Sequence, residues 1–449
     1  MSDKILSLHN RPELSREVLD SCIHCGLCLP ACPTYLASGR ETESPRGRIH
    51  LIAKWQAGEL DLSNRLSEHL ESCLGCLGCQ TACPSGVQYE EILDSARPHL
   101  AARRDGRTRS LMRLVFKHVL PNYALLRFSS IILGLYQNLF GKDYLSRIMR
   151  SSEAHMIDSP VKKLLKKLSQ WEQFVPRVKA HIRLPALVTP RIESESGKNA
   201  QLFAGCVMDI FYNHVNHASI KLMLKQGHSV RVPPQTCCGA LAYHAGEIDI
   251  ARDLARRNIN YFQSSGDEVV VTSAGCGAML KQYGHLFEKE PDWQHRAWQF
   301  SKRVKDLSEF LCAHEFTLFA EPLSSPITYH AACHLAHAQN VRDEPIELLK
   351  ALSPENEDMI SPLIEAEHCC GSAGIYNLFN TETALKVLDR KLNHIEKSGA
   401  KSVITCNPGC LIQLEAGIEA RGLEVEVLHL AEILDQAYKN PALGNDSLL

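Results

Sequence analysis

The spacing of the apolar residues is helical in the first part of the chain. Two runs each place their apolar side chains on one face of a helix: Ile49, Ile52 and Trp55, then Leu62, Leu66 and Leu70. Gly58 separates the runs and predicts the end of the first helix. We expect residues 1 to about 20 to form a helical lead-in before them.

The spacing becomes strand-like in the second half. Short β-branched runs, each followed by a helical pattern, recur as an internal repeat, with strands predicted to end at 202–206, 269–276, 327–333 and 403–410. Alternating strands and helices predict one α/β unit per copy, with its cysteines at the carboxyl ends of the strands. The two units should pack as a pseudo-twofold pair.

A third pattern lies between these halves. Apolar and basic residues alternate from about 103 to 192, and most clearly over 111–149, without any cysteine. A basic amphipathic helix of this kind lies on an anionic membrane surface or against a partner subunit, although ordinary core helices look similar. A polar stretch at 193–198 predicts a linker.

Composition narrows the class of protein. A chain of 449 residues with 45% hydrophobic and 22% charged residues suits about three globular domains. The net charge of -2 and the lack of a basic domain argue against a nucleic-acid partner. We find no apolar run of membrane-spanning length and no export signal, and therefore expect a cytoplasmic protein, peripheral at most on the inner face of the membrane.

Cysteine is the unusual feature, with 18 residues in the chain. Two runs, 22–33 and 73–84, have the spacing C-x2-C-x2-C-x3-C-P, by which two-cluster ferredoxins hold [4Fe-4S] clusters. Because the fourth cysteine reaches the other cluster, the predicted ligand sets are Cys22, Cys25, Cys28 and Cys83 for one cluster, and Cys73, Cys76, Cys79 and Cys32 for the second. Zinc rarely uses this order of ligands, and disulfides need an oxidising compartment.

Each copy of the repeat brings a distant cysteine, a Cys-Cys-Gly triplet and a terminal cysteine to one place, so we name the copies CCG units. The predicted metal ligands are Cys206, Cys237, Cys238 and Cys276 in the first unit, and Cys333, Cys369, Cys370, Cys406 and Cys410 in the second. We expect one further iron-sulfur cluster per unit, with zinc or inert buried thiols as alternatives. Ser273 replaces Cys406 in the first unit, and Cys312 lies outside every pattern.

Two further features of the CCG units follow from the sequence. The glycine after each cysteine pair is predicted to let the backbone approach an inorganic core closely. The histidines nearest the motifs are expected to hydrogen-bond sulfur without binding metal: His244, His334 and His337.

The motifs together resemble those of the iron-sulfur subunits of glycolate oxidase, and of relatives in D-lactate dehydrogenases, glycerol-3-phosphate dehydrogenase and heterodisulfide reductase. The resemblance lies in P-R-G-R-I at 45–49, C-P-S-G-V at 83–87, G-C-G-A at 275–278, H-A-Q at 337–339 and C-C-G-S-A-G at 369–374. It implies an electron-transfer subunit that is inactive alone, with FAD on separate dehydrogenase subunits and a membrane quinone as acceptor. The absence of G-x-G-x-x-G agrees with flavin on another chain. A catalytic disulfide reductase is the alternative.

These observations predict an α+β multidomain protein: a helical ferredoxin-like domain, then two pseudo-symmetric cysteine-rich CCG domains. The expected boundaries are 1–105 for the double-cluster domain, 106–198 for the basic connector, 199–322 for the first CCG domain and 323–449 for the second.

Overall fold

The computed structural model describes residues 11–142, 144–152, 160–190, 199–263, 266–314, 323–354 and 356–437. The first ten residues of the predicted lead-in and the linker predicted at 193–198 lie outside these ranges. The described part combines many helices with two small, mostly parallel sheets, which confirms the α+β class.

The ferredoxin-like part is helical. It contains α1 (Arg16–Asp20), α2 (Pro33–Ser38), α3 (Pro45–Gln56), α4 (Asn64–Glu71), α5 (Gly78–Thr81) and α6 (Tyr89–Arg103). Serine caps set the starts of two helices: Ser44 Oγ accepts the Gly47 N–H at α3, and Ser63 caps α4. These are the two helices predicted between the cysteine runs, and they bury Trp55 and Leu70 in one core.

The connector consists of α7 (Gly106–Leu114), α8 (Tyr123–Phe140), α9 (Tyr144–Ser152) and α10 (Pro160–Glu172). A π-helical turn, Val115–Val119, extends α7, and the extended helix meets α8 at a bend of 107°. Among the described residues no single helix has the length and apolarity to span a membrane; this bent pair passes that test only when its two helices are counted together.

The first CCG unit contains a five-stranded sheet in the order β1-β3-β2-β4-β5, parallel except for β1. The strands are β1 (Leu187–Val188), β2 (Asn199–Phe203), β3 (Ser229–Arg231), β4 (Glu268–Val271) and β5 (Val304–Asp306). The helices are α11 (Cys206–Phe211), α12 (Asn213–Lys225), α13 (Ala240–His244), α14 (Ile248–Tyr261), α15 (Ala274–Lys281), α16 (Tyr283–Leu286), α17 (Pro291–Lys302) and α18 (Leu307–Ala313).

The second CCG unit has a parallel four-stranded sheet in the order β7-β6-β8-β9. The strands are β6 (Ile327–Tyr329), β7 (Ile360–Ser361), β8 (Ser402–Thr405) and β9 (Glu426–His429). The helices are α19 (Asp343–Lys350), α20 (Tyr376–Phe379), α21 (Thr381–Ser398), α22 (Pro408–Arg421) and α23 (Leu430–Ala437), with a π-helical turn at His334–Ala338 and a 3₁₀ turn at Glu357–Met359.

The two sheets share one topology, because β3-β2-β4-β5 of the first corresponds to β7-β6-β8-β9 of the second. This confirms the predicted pseudo-symmetric pair of α/β units. The strands nevertheless end earlier than predicted, at residues 203, 271, 329 and 405. Cys276 and Cys410 therefore lie in the helices that follow strands, and Cys206 opens such a helix.

The two CCG units are packed on a common hydrophobic core that contains side chains of both, among them Leu202, Ile327 and Leu411. The Ala274 N–H of the first unit donates to the Cys406 carbonyl of the second at 3.0 Å. The ferredoxin-like part packs against the CCG units. One of its contacts is the hydrogen bond that the Tyr376 hydroxyl donates to the Ser72 carbonyl at 3.0 Å.

Candidate functional site

The first ferredoxin set lies near the surface. Cys22, Cys25, Cys28 and Cys83 line one small cavity, the combination predicted from the spacing. The chain curls around it through two residues of positive φ, His24 at 55° and Gly26 at 87°. Cys25 is exposed, so this set faces solvent.

The second ferredoxin set is further inside. Cys32, Cys73, Cys76 and Cys79 line another cavity, again the predicted combination. Burial raises the pKa of the Cys76 and Cys79 thiols well above the usual value. These thiols hold their protons at neutral pH, and a metal that binds them must displace those protons. The assignment of ligands to clusters stays a prediction.

Arg48 lies against this second cavity with a side chain that is 0% exposed. Its guanidinium donates to Glu43 Oε2 and to Ser72 Oγ, each at 2.8 Å, and to the His69 carbonyl at 2.8 Å. Arg48 therefore lies beside this thiol set and is buried from solvent. Arg46 lines the other cavity, and its Nη1 donates to the His24 carbonyl at 3.0 Å.

In the first CCG unit the four predicted cysteines converge. The Cys206 and Cys237 thiols lie close together, and their interaction raises the pKa of Cys206 and lowers that of Cys237. Cys238 is within hydrogen-bonding reach of Cys276. Ser273 Oγ caps α15 by accepting the Cys276 N–H, so its role here is in helix capping.

In the second CCG unit four thiols form a chain of contacts, from Cys333 to Cys369, to Cys370 and to Cys410. Cys406 lies apart from this chain, with its Sγ 3.9 Å from the Tyr329 hydroxyl. The ligand role predicted for Cys406 is not supported by any contact with the other thiols in the described residues, and it stays a prediction.

Both CCG sets open onto one cavity of about 590 Å³. The ferredoxin-like part closes one side of the cavity, and Cys73 lines both it and the second ferredoxin cavity. Arg97, which donates to Asp94 and lies 3.0 Å from His244 Nδ1, also faces it. Each set has four thiols, all buried except the partly exposed Cys276, and thiols are the soft donors that iron-sulfur clusters require, so the residues fit such a group.

The predicted close approach of the two triplet glycines to an inorganic core stays a prediction, and the structure shows how their backbones are packed. Gly239 and Gly371 have φ of +90° and +95°, and a Cβ on Gly371 would meet the Ala384 carbonyl oxygen at 2.5 Å. The backbone at Gly371 therefore approaches helix α21 closely, and the Gly371 N–H also donates to Cys369 Sγ at 3.4 Å.

The remaining candidates are placed as follows. His334 Nδ1 lies 3.5 Å from Cys333 Sγ, which confirms it as a sulfur partner. His337 instead contacts Thr81 Oγ1 at 3.1 Å. Cys312 packs against the hydrophobic core, and its thiol donates a hydrogen bond to the Glu344 carbonyl at 3.6 Å.

Sequence reasoning missed two buried polar residues of the second CCG unit. His330 lies beside Cys370 and Cys410, and Lys391 is 2% exposed with its Nζ donating to the Ala366 carbonyl at 3.3 Å. The position of His330, three residues before Cys333, was the available signal, since Phe203 stands three residues before Cys206.

Comparisons with known proteins agree with this architecture. The family described as "4Fe-4S dicluster domain" matches residues 18–87, and the family described as "Cysteine-rich domain" matches 200–281 and 327–415. A solved structure of a hypothetical protein from Helicobacter pylori overlaps 67% of this chain and 68% of its own at a TM-score of 0.40 and 11% identity, a similarity too low to carry an argument.

Two of the relatives match over nearly the whole chain. A protein described as a probable glycolate oxidase iron-sulfur subunit from Bacillus subtilis is 35% identical over 93% of both chains. The glycolate oxidase iron-sulfur subunit of Escherichia coli is 29% identical over 94% of both. Lactate utilization protein A of Geobacillus kaustophilus is 32% identical over 52% of this chain and 97% of its own. The chain therefore belongs to the family of glycolate oxidase iron-sulfur subunits, as an electron-transfer protein with iron-sulfur clusters.

Proposed function

We propose that this chain is the electron-transfer subunit of a flavin-dependent 2-hydroxy acid dehydrogenase complex. Separate subunits that carry FAD oxidise the substrate, which we propose to be glycolate, to glyoxylate. A membrane quinone is the final electron acceptor. The chain itself holds two [4Fe-4S] clusters in its ferredoxin-like domain and one further cluster in each CCG domain.

The observation that carries this proposal is the adjacency of the thiol sets. Cys73 lines both the second ferredoxin cavity and the cavity shared by the CCG units. Cys333 and Cys369 pack in one buried cluster with Leu74, against which Cys76 also packs. Iron-sulfur clusters accept and release single electrons when bound, and neighbouring sets suit a protein that transfers them.

One of the thiol sets lies at the protein surface, where an electron-transfer partner has access to it. The first ferredoxin set is exposed at Cys25, and two apolar side chains beside it point outward, Ile23 at 69% and Leu27 at 59% exposure. An exposed apolar patch next to a redox site is typical of a docking surface for another protein. We assign this surface to contact with an electron-transfer partner of the complex.

The connector supports contact with an anionic membrane surface. Residues 106–142 contain six Lys or Arg and no Asp or Glu. Five exposed apolar residues recur on one face of α8: Leu125, Phe128, Ile132, Leu135 and Leu139. An apolar face flanked by cations such as Arg127 is the composition of helices that lie in the membrane interface.

The proposed function is tested by reduction of the anaerobically purified chain with and without flavoprotein subunits. Alone, it should bleach with dithionite and oxidise no glycolate. With the flavoprotein subunits, glycolate should bleach it as well. Oxidation of glycolate by this chain alone, or a failure of glycolate to bleach the complex, would contradict the proposal.

The same experiment separates glycolate from D-lactate. The similarity to lactate utilization protein A covers only about half of this chain, so glycolate is the substrate we propose. Faster bleaching by D-lactate than by glycolate would identify D-lactate as the substrate of the complex. The electron-transfer role of this chain would still hold.

A further inference from the structure

The two CCG units differ at one buried position next to their thiols. The central strands β2 and β6 correspond, and the residue three places before the first cysteine is Phe203 in one unit and His330 in the other. Both side chains are 0% exposed. The first unit therefore has a hydrocarbon ring where the second has two polar nitrogens.

The His330 ring is placed against two of the four thiols. A ring nitrogen of His330 and the Sγ atoms of Cys370 and Cys410 all lie within 4.8 Å of one another. The backbone is held in place by the His330 N–H, which donates to the Ile404 carbonyl at 2.9 Å. The imidazole is thus fixed at the edge of the thiol set.

Neither ring nitrogen of His330 has a hydrogen-bond partner within the described residues. Burial lowers the pKa of His330, and the nearby Ala366 carbonyl partly opposes this effect. The geometry between that carbonyl and the ring is not that of a hydrogen bond. The neighbouring cation Lys391 is already engaged, because its Nζ donates to the Glu365 and Ala366 carbonyls. Unpaired buried nitrogens are costly, and the large majority of buried polar groups in native proteins have a hydrogen-bond partner, so these two nitrogens need an explanation.

We propose that His330 donates a ring N–H to the thiolate of Cys370 or Cys410 when the second CCG unit holds its cluster. Hydrogen bonds to the sulfurs raise the reduction potential of an iron-sulfur cluster. The hydrogen bond from His330 therefore raises the potential of the cluster in the second unit, and the first unit has no such donor at Phe203. This inference rests on the proposed function, because it requires a cluster on the second set.

The test is a potentiometric titration of the full, cluster-loaded chain, followed by low-temperature electron paramagnetic resonance. His330→Phe reproduces the residue of the first unit and should shift one cluster signal to a lower midpoint potential without loss of iron. His330→Gln keeps an N–H donor and should retain most of the wild-type potential. His295→Phe, at an exposed position of helix α17, makes the same chemical change away from the thiols and should shift nothing.

A second measurement detects the hydrogen bond in the wild-type protein itself. Wild-type protein with ¹⁵N-labelled histidine should show a weak nitrogen hyperfine coupling to one reduced cluster, and the coupling should be absent from labelled His330→Phe. A coupling from His334 to the same set would persist in both samples.

The outcomes separate this inference from the proposed function. Equal potentials in wild type and His330→Phe, or no nitrogen coupling that depends on His330, would overturn the inference. A strong coupling, as from a nitrogen bound directly to iron, would also contradict it. Wild-type protein without iron in the second CCG unit would instead overturn the proposed function.

Discussion

At the scale of single residues, the buried charge of Arg48 is the most informative feature of the ferredoxin-like part. The guanidinium has no exposure and uses its planar fork of donors on Glu43, Ser72 and a backbone carbonyl. The ammonium of a lysine cannot reproduce this fork. Arg48 therefore ties the loop before α3 to the end of α4, where the second cysteine run begins.

We expect Arg48→Met to destabilise the protein by about 3–5 kcal/mol, because it leaves the Glu43 carboxylate half-buried without its cation. Arg48→Lys should lose part of the stability for lack of the fork. Both variants should also bind less iron. The measurements are thermal unfolding and iron per chain.

Lys54→Met is the matched control for this prediction. It lies on the same helix, lines neither ferredoxin cavity and pairs with the exposed Glu59, so it should cost less than about 1 kcal/mol and no iron. Equal stability and iron content in Arg48→Met and wild type would show that the buried contacts of Arg48 do not support the site.

The cysteines could be found from the sequence because their spacing is local, and the structure gathers the sixteen cavity-lining thiols in four sets of four. Arg48 and His330 could not be found from the sequence, because the side chains that they lie against are distant from them in sequence. Ser72 is 24 residues from Arg48, and Cys410 is 80 residues from His330. Cys406 was predicted as a ligand from its position in the repeat alone, and that role stays a prediction, because its side chain contacts the Tyr329 hydroxyl and lies apart from the other four thiols.

At the scale of secondary structure, α8 is the element whose exposed face lacks cover in the described residues. Leu139 is 75% exposed and Leu135 57% exposed, which is costly in water and favourable in a lipid interface. The helix ends of the connector are tied to the CCG units, for example through Arg113 to Asp249 at 2.6 Å. The apolar face is thus held outward by the fold.

We predict that the double variant Leu135→Glu and Leu139→Glu binds anionic phosphatidylglycerol vesicles at least about tenfold more weakly, because two apolar side chains are lost from the interface and two negative charges are added. Iron content should be unchanged. Vesicle co-sedimentation at low and high salt measures the effect, and added salt should weaken wild-type binding.

The double variant Ser129→Glu and Asn138→Glu adds the same charge at exposed polar positions of α8 and serves as the control. An equal loss of vesicle binding in both variants would show that the added negative charge weakens binding and that the apolar side chains do not contribute. Wild-type protein that fails to bind the vesicles would refute the membrane contact.

Periodicity predicted the existence of most elements and failed at their ends. The helices between the cysteine runs were found because Trp55 and Leu70 recur with helical spacing, and the strands because β-branched residues cluster. The strand ends were placed too late, since Pro408 and the turn at Gly205 start helices before the cysteines at 410 and 206. The 107° bend between α7 and α8 depends on packing and has no signal in a local pattern.

At the scale of the whole molecule, the ferredoxin-like part is fitted closely against the CCG units. The backbone of Gly246 passes so near α6 that a Cβ there would lie 2.2 Å from the Arg97 carbonyl oxygen. The Tyr243 hydroxyl donates to Asp94 at 2.6 Å beside it. This contact positions the second ferredoxin set against the shared cavity.

Gly246→Ala should therefore loosen this contact, because the new methyl group clashes with backbone and the φ of +80° is unfavourable for alanine. Gly422→Ala is the control, with a φ of +64° and no atom within 4 Å of the new Cβ. We expect the control to lose only about 1 kcal/mol of stability, and Gly246→Ala to lose more and to expose α6 to proteolysis. Equal effects would mean that the close approach is unimportant.

Pairing of the two CCG units could be predicted from the internal repeat, because equal units bury complementary faces. The position of the ferredoxin-like part could not, since it depends on single contacts such as that of Tyr376 with the Ser72 carbonyl. The shared cavity exists only in that assembled arrangement.

The central claim is that all four thiol sets hold iron-sulfur clusters, and its most direct test is the content of iron, acid-labile sulfide and zinc in anaerobically purified chain. We predict about sixteen irons, an equal amount of sulfide and no zinc, with a loss of about four irons in Cys276→Ser and in Cys370→Ser. About eight irons in the wild type, with or without zinc, would confine redox chemistry to the ferredoxin-like domain and contradict the account.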